Sequence, residues 1–425
     1  MFTAFTTALS ALGANSTGVD VVGNNLANLN TPGYKSSVVA FHDLMAQSLG
    51  ATGSETQVGL GTGRPKTVRQ FTQGAIQTSS GSMDAAIQGG GFFVVRDANS
   101  QQLFSRAGNF QLDAQGNLLT STGERVQGWK EVNGIVDTNS AVGDITLPVG
   151  QLKQPTATTQ MTVDVNLNAA AVVGQPDGSF STPIEVVDSL GVAHVLTVAF
   201  TKTAANTWDY KVSIPGAEVT AGTAGTPYDI PGASGSLTFN NQGALTAPAP
   251  PPPATNGVVN IAIPGLTSGA ANLAIAWNLY TPDLKPRLTQ FAQPSAVSAN
   301  SQNGAFPAQL NRVGLADGGK IMAQYSNGKQ TLIGQIALAF IQNPESLVTV
   351  GNNNLQTSAN TALPAIGVSE TGGRGKILGG ALESSTVDIA REFTNLIVLQ
   401  RGYQANARIV TTADELTQET INLKR

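Results

Sequence analysis

The chain has 425 residues, of which 41% are hydrophobic and only 12% are charged, and its formal net charge at pH 7 is −4. It is long enough for two or three domains and too hydrophobic to be disordered, and without a basic run it is not expected to bind nucleic acid. Cysteine is absent, which excludes disulfides and cysteine-ligated zinc. The 47 glycines and the weakly charged surface predict a β-rich protein with many turns that associates with its own copies.

The first predicted element is a helix over residues 1–30. Apolar residues recur there at three- and four-residue steps and lie along one stripe of the helix. The stripe consists of Phe2, Phe5, Leu9, Leu12, Val19 and Leu26. The first sixteen residues carry no Lys or Arg and no long apolar core, so we expect no cleaved secretory signal. No run in the sequence approaches the roughly 20 apolar residues of a membrane span, so we expect none.

The segment NTPGYK, residues 30–35, predicts where this helix ends. Asn28 and Asn30 can bond terminal backbone groups or adopt left-handed conformations. Proline disfavours the α conformation of the preceding Thr31, and Pro32-Gly33 suits positions i+1 and i+2 of a type II turn. We therefore predict a sharp stop, followed by an extended connector over residues 31–70.

Residues 71–382 have a hydrophobic period of two and frequent turn signals, which predict short strands. The clearest segments are 89–97, 107–129, 160–169, 189–202, 207–216, 258–263, 273–280 and 335–343. Proline- and serine-rich stretches at 147–158 and 294–308 suggest domain boundaries. We predict a β-rich middle domain formed by 71–150 and 303–382, and an inserted β-rich outer domain at 151–302. The proline run within 246–257 is expected to be an exposed polyproline II segment.

A heptad pattern predicts a second long helix from Ser384 towards the end of the chain, within a terminal region of 383–425. Leu382, Ile389, Leu396, Tyr403 and Val410 are spaced by seven, and Phe393, Leu399, Ala413 and Leu416 fill the second seam position. We expect Ser384 or Ser385 to cap this helix, with Asp388 in its first turn. Each terminal helix has a narrow stripe suited to pairing with the other helix or with copies of the chain.

No catalytic, cofactor or metal site is predicted. The chain has two histidines: His194 lies in an apolar strand and is expected to be packed, whereas His42 is expected to be exposed. Neither has a partner at metal-ligand spacing, and no Ser-His-Asp set can be singled out. We therefore expect a structural protein, not an enzyme, with no cofactor and no small-molecule substrate.

Three parts of the chain resemble the bacterial flagellar rod and hook family. They are NNLANLNTPGYK (24–35), AIQGGGFFVV with SRAGNFQLDAQGNLLT (86–95 and 105–120), and the last 39 residues. The ending TTADELTQETINLKR and the large insert are most similar to the hook-type members. A distal rod-type subunit is the second interpretation, and a secreted β-rich adhesin or carbohydrate-binding protein is a third, from a different class. The insert itself resembles no family that we can name.

The resemblance implies a mainly β fold inserted between N- and C-terminal helices that form an inner coiled-coil core. It implies a structural subunit of a flexible, curved tube, which joins the rod to the filament of the bacterial flagellum and transmits motor torque for motility. The implied partners are other copies of the chain, the rod, hook cap and hook–filament junction proteins, and the type III export apparatus. The implied location is extracellular, at the hook and basal body, reached without a cleaved signal peptide.

The residues predicted to carry self-assembly come from both helices and from the turn after the first. They are Phe2, Phe5, Leu9, Leu12, Leu26, Asn28, Asn30, Thr31, Pro32, Gly33, Tyr34, Ile389, Phe393, Leu396, Leu399, Tyr403, Val410 and Leu416.

Overall fold

The computed structural model describes residues 2–44, 47–48, 57–132, 135–249 and 257–422. Most of the predicted polyproline segment, residues 250–256, lies outside these ranges. The chain divides into two compact units. Unit 1 comprises Met1–Val149, Asn311–Gln324 and Gln330–Arg425, and unit 2 comprises Gly150–Leu310 and Tyr325–Lys329. The predicted mainly β fold with a helix near each end is confirmed.

Unit 1 begins with helix α1, Phe2–Ala27. Short strands follow: β1 (Ser37–Ala40), β2 (Gln47–Ser48), β3 (Gln57–Val58), β4 (Lys66–Arg69), β5 (Ile76–Thr78), β6 (Ala85–Gln88), β7 (Phe92–Arg96), β8 (Gln102–Ser105), β9 (Phe110–Leu112), β10 (Leu118–Thr120), β11 (Arg125–Val132), β12 (Ile135–Val136) and β13 (Gly143–Asp144).

Unit 2 holds longer strands, in which burial alternates along each strand. They are β14 (Leu152–Lys153), β15 (Gln160–Asn168), β16 (Ser179–Val187), β17 (Ala193–Ala204), β18 (Thr207–Pro215), β19 (Pro227–Phe239), β20 (Leu245–Ala247), β21 (Val258–Ile263), β22 (Leu273–Asn278), β23 (Leu288–Phe291) and β24 (Ala296–Gln302). The next strand, β25 (Ala308–Ala316), begins in unit 2 and ends in unit 1.

The chain then completes unit 1. The remaining strands are β26 (Lys320–Tyr325), β27 (Gln330–Ile336), β28 (Leu338–Phe340), β29 (Val348–Gly351), β30 (Asn354–Gln356), β31 (Ala365–Gly367), β32 (Lys376–Gly379) and β33 (Ala381–Glu383). The closing helix, α2, spans Ile389–Asn422.

The main sheet of unit 1 brings together strands from both halves of the chain. Its order is β26-β27-β11-β7-β8-β30-β29, and these neighbours are antiparallel. Two small ladders, β6 with β32 and β5 with β33, join the segment before the sheet to the segment that leads into α2. One core cluster consists of Phe92, Val94, Phe104, Trp129, Ala337, Ala339, Ile341 and Leu355. The C-terminal part of the chain is therefore built into the N-terminal sheet before α2 begins.

Unit 2 is a sandwich of two sheets around one core. One sheet has the antiparallel order β16-β17-β18-β19-β20, and the other has the order β21-β22-β15-β23 with β24 also paired to β15. The inward residues of both sheets form a single cluster that includes the fully buried Trp208 and Trp277. The alternating pattern that predicted these strands is the pattern of inward and outward residues on a half-buried strand.

The predicted start of the second helix was wrong. Helix α2 begins at Ile389, and Asp388 caps it: its Oδ1 accepts hydrogen bonds from the amides of Ala390 (2.8 Å) and Arg391 (3.1 Å). Neither Ser384 nor Ser385 starts the helix, because backbone amides in this segment form hydrogen bonds with other parts of unit 1. The amide of Ser384 donates to Ala75 O, and the amide of Thr386 donates to Tyr34 O.

Two structural properties bear on function class. Within the described ranges, neither helix is both long enough and apolar enough to cross a membrane. The same residues contain no cluster of three or more His, Asp or Glu side chains placed to hold a metal ion. His194 is packed, as predicted: it is buried in unit 2, with its ring nitrogens 2.7 Å from Glu218 Oε2 and 3.1 Å from Asp188 Oδ2.

Candidate functional site

The two terminal helices pack against each other in antiparallel directions within unit 1. Asn25 Nδ2 donates to Glu392 Oε1 over 3.3 Å. Gly18 lies seven residues before Asn25 in α1, and Leu399 lies seven residues after Glu392 in α2. Leu399 covers Gly18 so closely that a β-carbon added to Gly18 would lie 2.7 Å from Leu399 Cδ2. Asn15 lies three residues before Gly18, and Gly402 lies three residues after Leu399; these two residues also lie against each other. These three contacts define one register for the helix pair.

The face of α1 that packs on α2 is not the predicted apolar stripe. Small or polar side chains dominate its buried positions, which are Ala8, Ala14, Gly18, Val22 and Asn25. From the stripe, Phe5 is 38% exposed and Leu9 is 55% exposed, whereas Leu12 and Leu26 are half-buried. The side chain of Phe2 lies outside the described residues. The reason is steric: Leu399 needs a small residue opposite it, and Gly18 allows the closest approach.

The predicted heptad residues of α2 differ in exposure. Leu396, Leu399 and Val410 are half-buried, whereas Ile389, Phe393, Tyr403 and Leu416 are exposed. Large apolar side chains of α2 therefore remain uncovered within this single chain.

The predicted turn after α1 is confirmed. The amide of Tyr34 donates to Thr31 O over 3.2 Å, and Gly33 has a φ of +67°, as position i+2 of a type II turn requires. A β-carbon at Gly33 would also overlap the backbone carbonyl of Arg106. The amide of Gly33 donates to Glu383 O over 2.7 Å. The turn thus needs glycine both for its backbone conformation and for close packing.

Of the two roles predicted for the asparagines before the turn, the structure shows one, and only for Asn28. Asn28 bonds a terminal backbone group, because its Nδ2 donates to Asn24 O, and its Oδ1 accepts a hydrogen bond from the Thr31 hydroxyl. Neither Asn28 nor Asn30 adopts the left-handed conformation, and Asn30 is exposed. The possibility that these two residues stop the helix through a positive φ is therefore wrong; Gly33 supplies that conformation.

Asn25 is the buried centre of a polar network, with 1% of its surface exposed. Its Oδ1 accepts from the Ser37 amide (3.0 Å) and the Tyr34 hydroxyl (3.3 Å), and its Nδ2 donates to Ser37 O (2.8 Å) as well as to Glu392. An asparagine amide offers two donors and can readily accept two hydrogen bonds. All four are used here, so the side chain is held from α2 and from the segment after the turn together.

A second buried cluster, the Glu383 cluster, consists of Lys35, Arg106 and Glu383. Lys35 Nζ lies 2.6 Å from Glu383 Oε1, and Arg106 Nη1 lies 3.2 Å from Glu383 Oε2. The Gly74 amide and the Gln73 side chain also donate to Glu383 Oε1. Each carboxylate oxygen is paired with a cation, as a buried charge requires. The cluster therefore fixes both chain segments that lead to the helices onto the β part of unit 1.

Burial governs the ionisation of these residues. Burial lowers the pKa of the Lys35 ammonium, and the neighbouring Glu383 carboxylate acts in the opposite direction. The pKa of the Arg106 guanidinium is lowered by burial too, again opposed by Glu383. Burial raises the pKa of the Tyr34 phenol, which Arg69 opposes. The Glu383 carboxylate is therefore the group that holds two desolvated cations in place.

The prediction from sequence missed Asn25, Lys35, Arg106, Glu383 and Glu392. Asn25 and Lys35 lie within the motif that was singled out, but periodicity and turn chemistry gave no reason to bury them. One signal was available, since charged residues are scarce in this chain and Lys35 and Glu383 each lie next to a predicted helix.

Comparison with protein families finds four matching models along the chain. Residues 5–35 match "Flagella basal body rod protein", and residues 86–168 match "Flagellar hook protein FlgE/F/G D1 domain". Residues 173–305 match "Flagellar basal body protein FlaE D2 domain", and residues 378–423 match "Flagellar basal body rod FlgEFG protein C-terminal". The insert, which resembled no family at the level of motifs, therefore has a family model of its own.

Curated relatives are similar over almost the whole chain. The flagellar hook protein FlgE of Borreliella burgdorferi is 32% identical, with 98% of each chain covered. The proteins of the same name from Salmonella typhimurium and Escherichia coli are 32% and 30% identical, each with 99% of this chain and 100% of the relative covered. The crystal structure of Helicobacter pylori flagellar hook protein FlgE2 has a TM-score of 0.53 at 15% identity, over 72% of this chain and all of that one, which is a similarity of fold.

Proposed function

The chain belongs to the family of flagellar hook proteins named FlgE, and from this membership we propose that its two terminal helices are the elements through which it polymerises. As a member of this family it is a structural subunit of the flagellar hook. The distal rod interpretation has no better support, since the relatives that cover the whole chain are hook proteins. A secreted adhesin is likewise not favoured.

The observation that carries the proposal is the uncovered apolar surface on both helices. Phe5 and Leu9 of α1 and Phe393, Tyr403 and Leu416 of α2 are exposed in the single chain. Large apolar side chains at heptad spacing are stabilised when other helices cover them. A tube of subunits would supply those helices from neighbouring copies. The exposed self-assembly residues predicted on the two helices are proposed to act there, whereas Leu399 packs over Gly18 within the chain.

The turn residues Asn28, Thr31, Pro32, Gly33 and Tyr34 are proposed to act differently. They bond within the chain, and so they would set the direction of the helices relative to the β part of unit 1 and contribute to assembly indirectly. Asn30 is exposed and would be available to a neighbouring subunit.

The finer functional expectations remain proposals that follow from family membership. They are a bent, flexible tube that transmits torque from rod to filament, contacts with the rod, hook cap and hook–filament junction proteins, and export by the type III apparatus without a cleaved signal peptide. The extracellular location is proposed on the same ground. A structural role also fits a non-enzymatic protein.

Electron microscopy of two purified chains under salting-out conditions tests the proposal. The full chain is expected to form tubes. A chain of residues 31–383 is expected to stay monomeric yet unfold cooperatively, because the cut leaves Lys35, Arg106 and Glu383 in place. Tubes formed by the shortened chain would contradict the proposal.

Two variants of the full chain, a double substitution on the helices and a single control substitution elsewhere, test the same proposal. Leu9→Ser together with Phe393→Ser removes exposed apolar groups from both helices and should abolish tubes. Leu363→Ser removes one from the β part of unit 1, where Leu363 is 93% exposed, and should leave assembly unchanged. Equal loss of tubes in both cases would mean that exposed apolar area in general, and not the helices, drives assembly.

A further inference from the structure

We propose that the buried Asn25–Glu392 hydrogen bond sets the register of α1 against α2, and that these two are positioning residues of the hook subunit. The inference is independent of how copies of the chain contact each other, because it concerns contacts within one chain. It rests on the proposed function only in assigning the helix pair a role in assembly. The evidence is the buried polar pair itself and the permissive apolar contact beside it.

The apolar contact between the helices does not by itself define a single register. Leu399 lies over Gly18, but Ala14, one turn earlier in α1, is also small and buried. If α2 slid by one turn, Leu399 would lie over Ala14 without a large side chain in its way. Packing of small residues alone therefore permits at least two alignments.

The polar pair permits only one of them. Glu392 is buried in the first turn of α2, and in the slipped alignment its carboxylate would face Val21 in place of Asn25. A buried carboxylate without its hydrogen-bond partner is strongly unfavourable. Sliding in the other direction would place Glu392 opposite Leu29 and Leu399 opposite Val22, which is worse in both respects. A single buried polar side chain fixes register in helix pairs by this principle.

Asn25 also connects the register to the rest of unit 1. Its remaining hydrogen bonds go to both backbone groups of Ser37 and to the Tyr34 hydroxyl, so α1 cannot slide without breaking them. Two residues before Ser37, Lys35 is held in the Glu383 cluster. The position of α1 is therefore fixed by the β part of unit 1 as well as by its contacts with α2.

Disulfide trapping in the full chain tests this inference, and the chain has no cysteine of its own. Asn15→Cys with Gly402→Cys reports the observed register, since these two residues touch. Asn15→Cys with Val398→Cys reports a slip of one turn, and Asn15→Cys with Asn406→Cys reports the opposite slip. Oxidised chains are read as internally linked monomers on denaturing gels, with the linked peptides identified by mass spectrometry. This readout does not require polymerisation, so a failure of register and a failure of assembly are distinguishable.

In the parent sequence the Asn15→Cys/Gly402→Cys pair is expected to form at least about tenfold more disulfide than either slipped pair. The reason is that each slipped alignment would leave the buried Glu392 carboxylate without its hydrogen-bond partner. In the double variant Asn25→Ala/Glu392→Ala, the excess over the Val398→Cys pair should fall several-fold. Gly18→Ala disturbs the apolar contact alone and should leave the preferred pair unchanged.

Three results would overturn the proposal. The first is an undiminished preference in Asn25→Ala/Glu392→Ala, which would assign the register to Gly18 and Leu399. The second is a change of register in Gly18→Ala. The third is loss of all three cross-links together with loss of helical circular dichroism in Asn25→Ala/Glu392→Ala, which would make the pair an anchor without a role in register.

Discussion

Glu383 and Lys35 are 348 positions apart in the sequence, yet the Glu383 carboxylate lies 2.6 Å from the Lys35 ammonium in the interior of unit 1. The two residues stand where the chain leaves α1 and where it approaches α2. Arg106, from the β part of the unit, forms an ion pair with the other oxygen of the Glu383 carboxylate. The ends of the chain are thus connected to the β core through one acidic side chain.

Glu383→Gln should destabilise unit 1 by about 3–5 kcal/mol, because it leaves the buried Lys35 and Arg106 cations without their counterion. Lys35→Met should cost less, since Arg106 still neutralises Glu383. The free energy of unfolding is measured by urea titration of Trp129 fluorescence, in a chain whose Trp208 and Trp277 are replaced by phenylalanine.

The double variant Lys35→Met/Glu383→Gln is the control for this effect. It keeps the net charge of the cluster unchanged and should be more stable than Glu383→Gln alone. If the double variant is no more stable than Glu383→Gln, the cost arises from lost packing or from the Gly74 and Gln73 hydrogen bonds, and the unpaired charge is not its cause.

Gly33→Val should prevent assembly and destabilise unit 1. The positive φ alone costs on the order of 1–3 kcal/mol for a residue with a β-carbon, and the overlap with the Arg106 carbonyl adds to it. Gly225→Val is the matched control: Gly225 has a φ of +84°, but no atom lies within 4 Å of an added β-carbon. Swimming assays and electron microscopy of hooks give the outcome. Normal hooks in Gly33→Val cells would show that the turn is dispensable.

Below about pH 4, unit 2 should lose stability through Asp188. Burial would raise the pKa of this carboxyl, but hydrogen bonds from Ser268, from the Val192 and Leu190 amides and from His194 hold it below its usual value. A carboxyl with a depressed folded-state pKa stabilises the fold above its unfolded-state pKa, and that contribution disappears as the pH falls through the folded-state pKa. Asp188→Asn should lower the stability at neutral pH and flatten its loss in acid.

The tryptophans separate this effect from that of unit 1. Trp208 and Trp277 report on unit 2, and Trp129 reports on unit 1. In unit 1, Glu124 has a lowered pKa: burial would raise it, and hydrogen bonds from Thr120, Thr122 and Asn352 outweigh this. Glu124→Gln should therefore flatten the acid response of Trp129 alone. An unchanged acid profile of unit 2 in Asp188→Asn would exclude Asp188 as the responsible group.

Removal of most of unit 2 should leave a chain that still polymerises but forms straighter hooks. Residues 173–305 match a family model of their own, so the absence of family motifs from the insert is no ground for this prediction. The prediction now rests on the chain path, since β14 and β25 are paired, Leu152 with Gln309 and Lys153 with Ala308.

The paired strands allow a defined excision. Residues 154–307 are replaced by Asn-Gly, which suits a two-residue hairpin between antiparallel strands. Hook curvature is measured by electron microscopy of isolated hooks, with the full chain beside it. A folded monomer that forms no tube at all would place unit 2 among the essential assembly contacts.

Sequence reasoning located the features that depend on neighbouring residues. Alternation identified β15, β17 and β18, and Pro32-Gly33 identified the turn, because both are local consequences of backbone geometry. The packing face of α1 was missed, since Gly18 contributes nothing to an apolar pattern although the large Leu399 side chain packs over it. The Lys35–Glu383 pair was missed because one sequence does not say which distant charges meet in the fold.

The connection between Lys35 and Glu383 has a mechanical consequence. A pull on α1 reaches Lys35 along the backbone through the Pro32–Gly33 turn, and a pull on α2 reaches Glu383 at the end of the β5–β33 ladder, where the ion pair joins the two chain segments. Tension that arrives at Lys35 or Glu383 is therefore divided between the two chain segments, so the β5–β33 ladder does not bear a pull on α2 alone. The residue that pairs with two buried cations is also the point at which this subunit shares its load.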